Sequence, residues 1–126
     1  MAIRRITSGG VYEDKVGYCR AVVAGDFVFV SGCVAAGPEV PVGVADQCRS
    51  ALGVIDRALA EAGCGFADVV RVTYMLPDRG DFEACWPLLR ERFGANPPAA
   101  TMIECGLIDP RFRIEIEVTA LLPRSR

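Results

Sequence analysis

The spacing of apolar residues changes near the middle of the chain, at Val44. From there, apolar side chains recur at steps of three and four residues: Val44, Cys48, Ala51, Leu52, Ile55, Leu59 and Ala62. This spacing places one apolar stripe along an α-helix. Gly63 follows in the C′ position, where the left-handed backbone that ends many helices favours glycine. The sequence therefore predicts a helix from Val44 to about Ala62.

The segments on either side of this helix have the composition of β-strands. Tyr18–Ala24 and Phe27–Val34 are rich in β-branched and aromatic residues, and Gly25-Asp26 between them is a two-residue hairpin signal. The other predicted strands are Ile3–Thr7, Val69–Leu76, Ala99–Cys105 and Arg113–Leu122. The last two are expected to be antiparallel neighbours.

A second helix is predicted between the fourth and fifth strands. Asp81 is its expected N-cap, Phe93 lies near its end, and Gly94 follows. Pro87 lies inside this segment and has no N–H to donate, so a kink is expected there.

The predicted order is β-β-β-α-β-α-β-β, an α+β fold with a mixed six-stranded sheet. Right-handed crossovers place both helices on one face of the sheet. The other face is left uncovered, and a closed homo-oligomer is expected to bury it. In the last strand Glu115, Glu117 and Thr119 alternate with apolar residues and point to this face. If this face is buried in an oligomer, the carboxylates need partners or have raised pKa values. The alternative is a polar face that lies in water, and the alternation of residues does not distinguish the two.

Composition limits the chemistry available. A chain of 126 residues suits one domain, 1–126. The net charge is −2 without a basic stripe, which gives no support to nucleic-acid binding. The chain has no His, so Ser-His and Cys-His nucleophile pairs and imidazole metal sites are excluded. Acid–base chemistry falls to carboxylates, Tyr, Cys or water.

The cysteines and the amino end bear on location. The six cysteines show no C-x-x-C spacing, so neither a zinc site nor a dithiol redox site is indicated. The first ten residues lack the apolar core of a signal peptide, and no apolar run reaches membrane-spanning length. We therefore expect free thiols, a cytoplasmic location and no membrane association.

Four segments, in this order and spacing, resemble one known family. They read "VGYCRAVVAGDFVFVSG", "ALGVIDRALAEAGCGFADVVRVTYML", "NPPAATMIE" and "IEIEV". The chain resembles the RidA family, also called YjgF or endoribonuclease L-PSP. The resemblance implies a chorismate-mutase-like protomer and a homotrimer with small-molecule clefts between subunits. It also implies hydrolysis of enamine or imine intermediates such as 2-aminoacrylate to a 2-keto acid and ammonia, without metal or cofactor.

The resemblance carries roles to individual residues. Tyr18 matches the cleft tyrosine, Ser31 and Gly32 match a Ser-Gly pair, and Glu115 matches the carboxylate that positions or activates water. The catalytic candidates are thus Glu115, Tyr18 and Ser31. Three further substrate-binding positions depart from the family pattern: Trp86 stands at a frequent Asn, Ala100 at the arginine that grips the substrate carboxylate, and Met102 at a frequent Cys.

The missing arginine changes the expected ligand. A buried carboxylate without a cation is costly, so a neutral or partly apolar ligand fits better, and poor 2-aminoacrylate hydrolysis is expected. Arg20, two residues from Tyr18, is a candidate substitute for the arginine. The alternative is that Arg20 pairs with a structural carboxylate such as Glu104 or Glu117.

Three classes of function remain open. The first is a cofactor-free hydrolase of a small imine or enamine. The second is a homotrimer that binds a small metabolite without turnover. The third is a ribonuclease, which ranks last because the chain has no His, no basic groove and no row of stacking residues.

Overall fold

The computed structural model describes residues 2–125, whose strands form one six-stranded mixed sheet. The strands are β1 (Ile3–Ile6), β2 (Ala21–Ala24), β3 (Phe27–Cys33), β4 (Val69–Leu76), β5 (Ala99–Glu104) and β6 (Glu115–Leu121). The α-helices are α1 (Val11–Val16), α2 (Val44–Ala62) and α3 (Trp86–Phe93). The strand order is β1-β2-β3-β6-β4-β5, and only the β4–β5 pair is parallel. The α+β class and the mixed six-stranded sheet are confirmed.

Helix α2 covers the centre of the sheet. All seven residues of its predicted apolar stripe are buried, and the helix packs on β3 and β6. The helix ends at Gly63, whose φ of 86° is in the left-handed region. The predicted helix is confirmed with its bounds.

The predicted alternation along β6 is also confirmed. Ile116, Val118 and Ala120 are buried beneath α2, whereas Glu117 on the opposite face is exposed. Phe27 and Phe29 of the adjacent β3 are exposed too, at 43% and 47%. The uncovered face of the sheet therefore carries both large apolar side chains and carboxylates.

The expected pairing of the last two strands is wrong. β6 lies between β3 and β4 and is antiparallel to both, while β5 pairs only with β4, in parallel. β4, α3 and β5 form a β-α-β unit, and such a crossover returns its second strand parallel to the first. Every residue of β5 is exposed, as suits an edge strand, whereas the apolar side of β6 is completely buried and belongs at the centre.

The second predicted helix begins later than expected. Short 3-10 turns occupy Arg79–Asp81 and Glu83–Cys85, and α3 starts at Trp86. Pro87 lies in the first helical turn, where a missing N–H costs no hydrogen bond, so it begins the helix instead of kinking it. Asp81 caps no helix, because its carboxylate forms an ion pair with Arg113.

Helix α1 was not predicted, and β2 begins at Ala21 instead of Tyr18. The helix has six residues and no apolar stripe, since Val11 and Val16 are both exposed. It is held instead by the side chain of Glu13, which accepts hydrogen bonds from the Ser8 and Gly10 amides.

Candidate functional site

Five of the predicted site residues line one cavity of about 1160 Å³: Tyr18, Arg20, Ser31, Gly32 and Glu115. Residues 6–12 and 33–38 form further walls, and α2 contributes the side that carries Val54 and Arg57. Small-molecule sites commonly measure about 300–1000 Å³, so the cavity has ample room for a small organic ligand.

Glu115 and Gly32 are packed directly against each other in this cavity. The pairing of β3 with β6 shifts register between Val30 and Cys33, so Ser31 and Gly32 lie at an irregularity of the sheet. A Cβ added to Gly32 would overlap the Glu115 carboxylate and lie 2.8 Å from its Cδ. Glycine at this position therefore makes room for the carboxylate.

The surroundings of Glu115 favour its protonated form. Partial burial raises the pKa of this carboxyl, and the negative charge of Glu117 on the same strand raises it further. The positive charge of Arg20 opposes both effects without cancelling them. A carboxyl whose pKa is moved towards neutrality can both accept and return a proton near physiological pH.

Ser31 and Tyr18 place two hydroxyl groups in the same cavity. The Ser31 hydroxyl donates a hydrogen bond of 2.7 Å to the Cys19 carbonyl, which leaves its oxygen able to accept one from a ligand. Tyr18 is 37% exposed, and its ring centroid lies 5.6 Å from the Arg20 Cζ. Both residues line the cavity.

The guanidinium of Arg20 is buried and bound within the protein. Its Nη1 donates to the Gly32 carbonyl at 2.8 Å and to the Cys33 Sγ at 3.3 Å, and its Nε donates to the Ser8 Oγ at 3.3 Å. Its Nη2 lies 3.7 Å from the Glu13 Oε2, the one ion pair it forms among residues 2–125. The structural carboxylate that pairs with Arg20 is thus Glu13, not Glu104 or Glu117. The proposed anion-binding role of Arg20 stays a prediction.

Glu13 is itself held by several donors. The Ser8 hydroxyl donates to its Oε2 at 2.5 Å, and the Gly10 amide donates to the same oxygen at 3.0 Å. Burial alone would raise the pKa of this carboxyl, but these bonds, the Ser8 amide and Arg20 outweigh it and lower the pKa. Glu13 is therefore ionised at neutral pH and balances the charge of Arg20.

The other predicted binding residues lie elsewhere in the protomer. Trp86 at the start of α3 is 48% exposed and packs edge-on against Phe82. Ala100 and Met102 lie on β5, beside Val72 and Tyr74 of β4. None of these three lines the cavity of Glu115. Within one chain, the predicted site is divided between the cavity beside β3 and β6 and the region of β5 and α3.

Sequence reasoning missed Ser8 and Glu13. The signal was weak but present: a glycine, Gly10, stands three residues before an acidic residue, and another, Gly17, follows at the helix C-cap. This resembles a capping box, in which the third residue of the helix returns to the N-cap amide.

Residues 2–125 also bear on metal binding and membrane insertion. No group of three or more His, Cys, Asp or Glu side chains there could hold a metal ion. No helix in the same range is long and apolar enough to cross a membrane. No disulfide joins the cysteines within the same residues.

Comparison with known proteins gives consistent results across the chain. The sequence profile described as endoribonuclease L-PSP matches residues 12–122. An uncharacterised protein of Streptomyces coelicolor is 35% identical over 123 residues, covering 94% of this chain and 92% of its own. The human 2-iminobutanoate/2-iminopropanoate deaminase is 32% identical over 124 residues, covering 94% of this chain and 90% of its own.

Solved structures agree with these relatives. A crystal structure from Mycobacterium tuberculosis, described as a member of the YjgF/YER057c/UK114 family, has a TM-score of 0.87 and 34% sequence identity. It covers 96% of this chain and 100% of its own. The profile match, the relatives and the shared fold together establish that the chain belongs to the YjgF, or RidA, family, whose sequence profile is called endoribonuclease L-PSP.

Proposed function

We propose that the protein is a cofactor-free C–N hydrolase that acts on a small imine or enamine in the cavity of Glu115. The observation that carries this proposal is the Glu115 carboxylate itself, packed on Gly32 with its pKa raised and with the Tyr18 and Ser31 side chains in the same cavity. The human relative named as an imino-acid deaminase supports this class of reaction.

The reaction needs one water and one group that moves protons. Glu115 takes a proton from water as the water oxygen bonds to the imine carbon, and returns it to the nitrogen, giving a carbinolamine. Glu115 then takes the proton of the carbinolamine hydroxyl and delivers it to the nitrogen as the C=O bond forms and the C–N bond breaks, so that ammonia and a carbonyl compound leave. An enamine enters this path after protonation at carbon gives the imine. Ser31 and Tyr18 orient the water and the nitrogen by hydrogen bonds.

The charges around the cavity favour a substrate without a carboxylate. Ala100 supplies no cation, and the donors of Arg20 are directed at Ser8, Gly32, Cys33 and Glu13. A substrate carboxylate would therefore find no bidentate arginine at either of these two positions, and the other arginine of the cavity wall, Arg57 of α2, is exposed to solvent. We infer that neutral imines are better substrates than 2-imino acids, and that 2-aminoacrylate is a poor one.

The assembly proposed for this function is a homotrimer with a cleft between neighbouring subunits. Its support is the uncovered sheet face with Phe27 and Phe29 exposed, together with the separation of Trp86, Ala100 and Met102 from the Glu115 cavity. In such a trimer one subunit supplies Tyr18, Arg20, Ser31, Gly32 and Glu115, and its neighbour supplies the other three. The predicted cytoplasmic location and absence of nucleic-acid binding stay predictions.

The test measures the decay of an imine generated in solution by an amino-acid oxidase, with and without the purified protein. We expect faster decay with the protein and loss of that acceleration in Glu115→Gln. Glu91→Gln, a change at an exposed residue of α3 outside the cavity, is the matched control and should keep it. An acceleration that survives Glu115→Gln would refute the proposed role of Glu115.

The second candidate function is binding without turnover, and the observation that favours it is the absence of a cation at Ala100. In that case no imine decays faster, while small neutral metabolites still raise the melting temperature of the protein. Loss of that shift on Tyr18→Ala would place the ligand in the same cavity. The ribonuclease reading ranks last, since the chain has no His and a net charge of −2.

A further inference from the structure

The ion pair between Glu13 and Arg20 joins two parts of the cavity wall that are distant in sequence. Glu13 belongs to the segment of residues 7–18, which holds α1 and ends at Tyr18. Arg20 reaches from the end of this segment to the Gly32 carbonyl, 2.8 Å from its Nη1. Gly32 in turn is the residue on which the Glu115 carboxylate packs. A continuous chain of contacts therefore runs from Glu13 to Glu115.

The burial of this pair argues for a role beyond stability. Replacing a buried ion pair by apolar residues is often neutral or stabilising, because both charges lose their hydration. A buried pair is therefore weak evidence for stabilisation, and what it supplies is a fixed geometry and a fixed charge. Here the ion pair fixes the positions of Tyr18 and Gly32, and the charge of Arg20 lies at the wall of the cavity that faces Glu115.

We propose that Glu13 and Arg20 are positioning residues for Glu115, holding Tyr18 and Gly32 in place around its carboxylate and setting the local charge. The proposal rests on the function proposed for Glu115. This role is the alternative to the predicted anion-binding role of Arg20, because Arg20 then acts on the reaction only through the groups it holds.

The charged and titratable groups that face Glu115 are few. Glu117 lies on its own strand, Cys33 lies on the adjacent β3, and Arg20 lies just before β2. On the other side, the β4 residue in register with Glu115 is Met75, which carries no charge. The α2 wall of the cavity also carries Arg57 and Glu61. Arg20 is the cation whose charge lowers the pKa of Glu115, and Glu13 is the carboxylate that balances Arg20.

The test is a carboxyl-carbon NMR titration of Glu115 in protein labelled at its glutamates, with the signal assigned by its loss in Glu115→Gln. Arg20→Gln removes the cation and should raise the pKa of Glu115. Glu13→Gln leaves the charge of Arg20 unbalanced and should lower it. Shifts of opposite sign separate this role from a general loosening of the fold, which would move both variants the same way.

The matched control is Asp81→Asn, which breaks an ion pair outside the cavity. In that pair the Arg113 Nη2 lies 2.8 Å from the Asp81 Oδ1. It should leave the pKa of Glu115 unchanged. Arg20→Lys keeps the charge but not the planar fork, so it should keep the pKa and lose hydrolysis rate. If Arg20→Gln does not fold, Glu13→Gln and Arg20→Lys still give the charge and the geometry result separately.

The proposal is overturned if Arg20→Gln and Glu13→Gln leave the pKa of Glu115 where Asp81→Asn leaves it. This result is independent of turnover, because the titration needs no substrate. Failure of the hydrolase proposal shows itself instead as an imine decay that Glu115→Gln does not alter. If hydrolysis is present, the acidic limb of its pH profile should move with the pKa of Glu115 in each variant.

Discussion

The Glu115 carboxylate occupies the space that a side chain on Gly32 would need. The two residues lie on adjacent strands, at the point where the pairing of β3 with β6 loses its regular register. The main chain at Gly32 and the carboxylate of Glu115 are therefore packed closely together, and a larger side chain at either position would need the other residue to move.

Gly32→Ala should displace the Glu115 carboxylate. The added methyl overpacks the site, so we expect a loss of about 1–3 kcal/mol in the free energy of unfolding. A displacement of about 1 Å in a catalytic group can cost about 100-fold in rate, so hydrolysis should fall by about that factor. Gly106→Ala is the control, because a Cβ there meets no atom within 4 Å. Equal rates in both variants would contradict the fitted arrangement.

Glu115→Gln should raise the melting temperature at neutral pH. The pKa of Glu115 is raised above its ordinary value of 4.5, so the folded protein holds the proton more tightly than the unfolded chain does. Stability therefore falls as pH rises through that range, and the ionised carboxylate opposes folding at neutral pH. The gain from Glu115→Gln should vanish below about pH 4, where the carboxyl is protonated in both states. Melting curves across this range, compared with Glu91→Gln, would show it.

Gln47→Leu should destabilise the fold strongly. Gln47 is completely buried, its Nε2 donates to the carbonyls of Pro41 and Arg111 at 2.6 and 2.9 Å, and its Oε1 accepts from the Arg113 amide at 2.8 Å. Leucine leaves three main-chain groups without these partners, so we expect a loss of about 3 kcal/mol in urea unfolding. Asp46→Asn, which breaks only an exposed ion pair with Arg49, should cost less than about 1 kcal/mol.

Phe29→Asp should prevent assembly. Phe29 is 47% exposed on the uncovered sheet face, and an unpaired charge there would be buried by a neighbouring subunit. Sedimentation of the native protein should give about three times the chain mass of 13.5 kDa, and the variant a smaller species. Val42→Asp, at a side chain that is 86% exposed, should leave the mass unchanged. A native monomer would refute the proposed intersubunit cleft.

Ala100→Arg should change the preferred substrate. An arginine there would supply a bidentate donor for a carboxylate, worth about 1.5–3 kcal/mol, or about 10- to 100-fold in kcat/KM for 2-imino acids relative to neutral imines. Ala100→Gln, polar but uncharged and shorter than arginine, should give little of this change. If the two variants behave alike, the missing charge does not determine the substrate preference.

The sequence predicted the parts of the fold whose patterns are local. Helix α2 was found from its apolar period and Gly63, and the β2–β3 hairpin from Gly25, whose φ is 60°. The alternation in β6 was readable because one side is completely buried. In each case the residues that define the element lie within one segment of the chain.

The features that escaped prediction depend on contacts between distant segments. The place of β6 in the sheet is decided by its pairing with β3 and β4. Asp81 does not cap a helix as expected, because its carboxylate pairs with Arg113. Likewise, Arg20 could not be assigned a partner, because Glu13 lies in a short helix that has no apolar pattern of its own. Of the predicted site residues, Tyr18, Ser31, Gly32 and Glu115 line one cavity in the structure, while Trp86, Ala100 and Met102 lie outside it.

The central position of β6 has a consequence for how the protein is made. The strand that joins the two halves of the sheet, β1-β2-β3 and β4-β5, is the last of the six to leave the ribosome. Until then β3 and β4 each present an unpaired edge, the kind of surface that invites association with other chains. Pausing of translation before Glu115 would hold the chain in that state, and a short delay there should matter more for yield than one in any earlier segment.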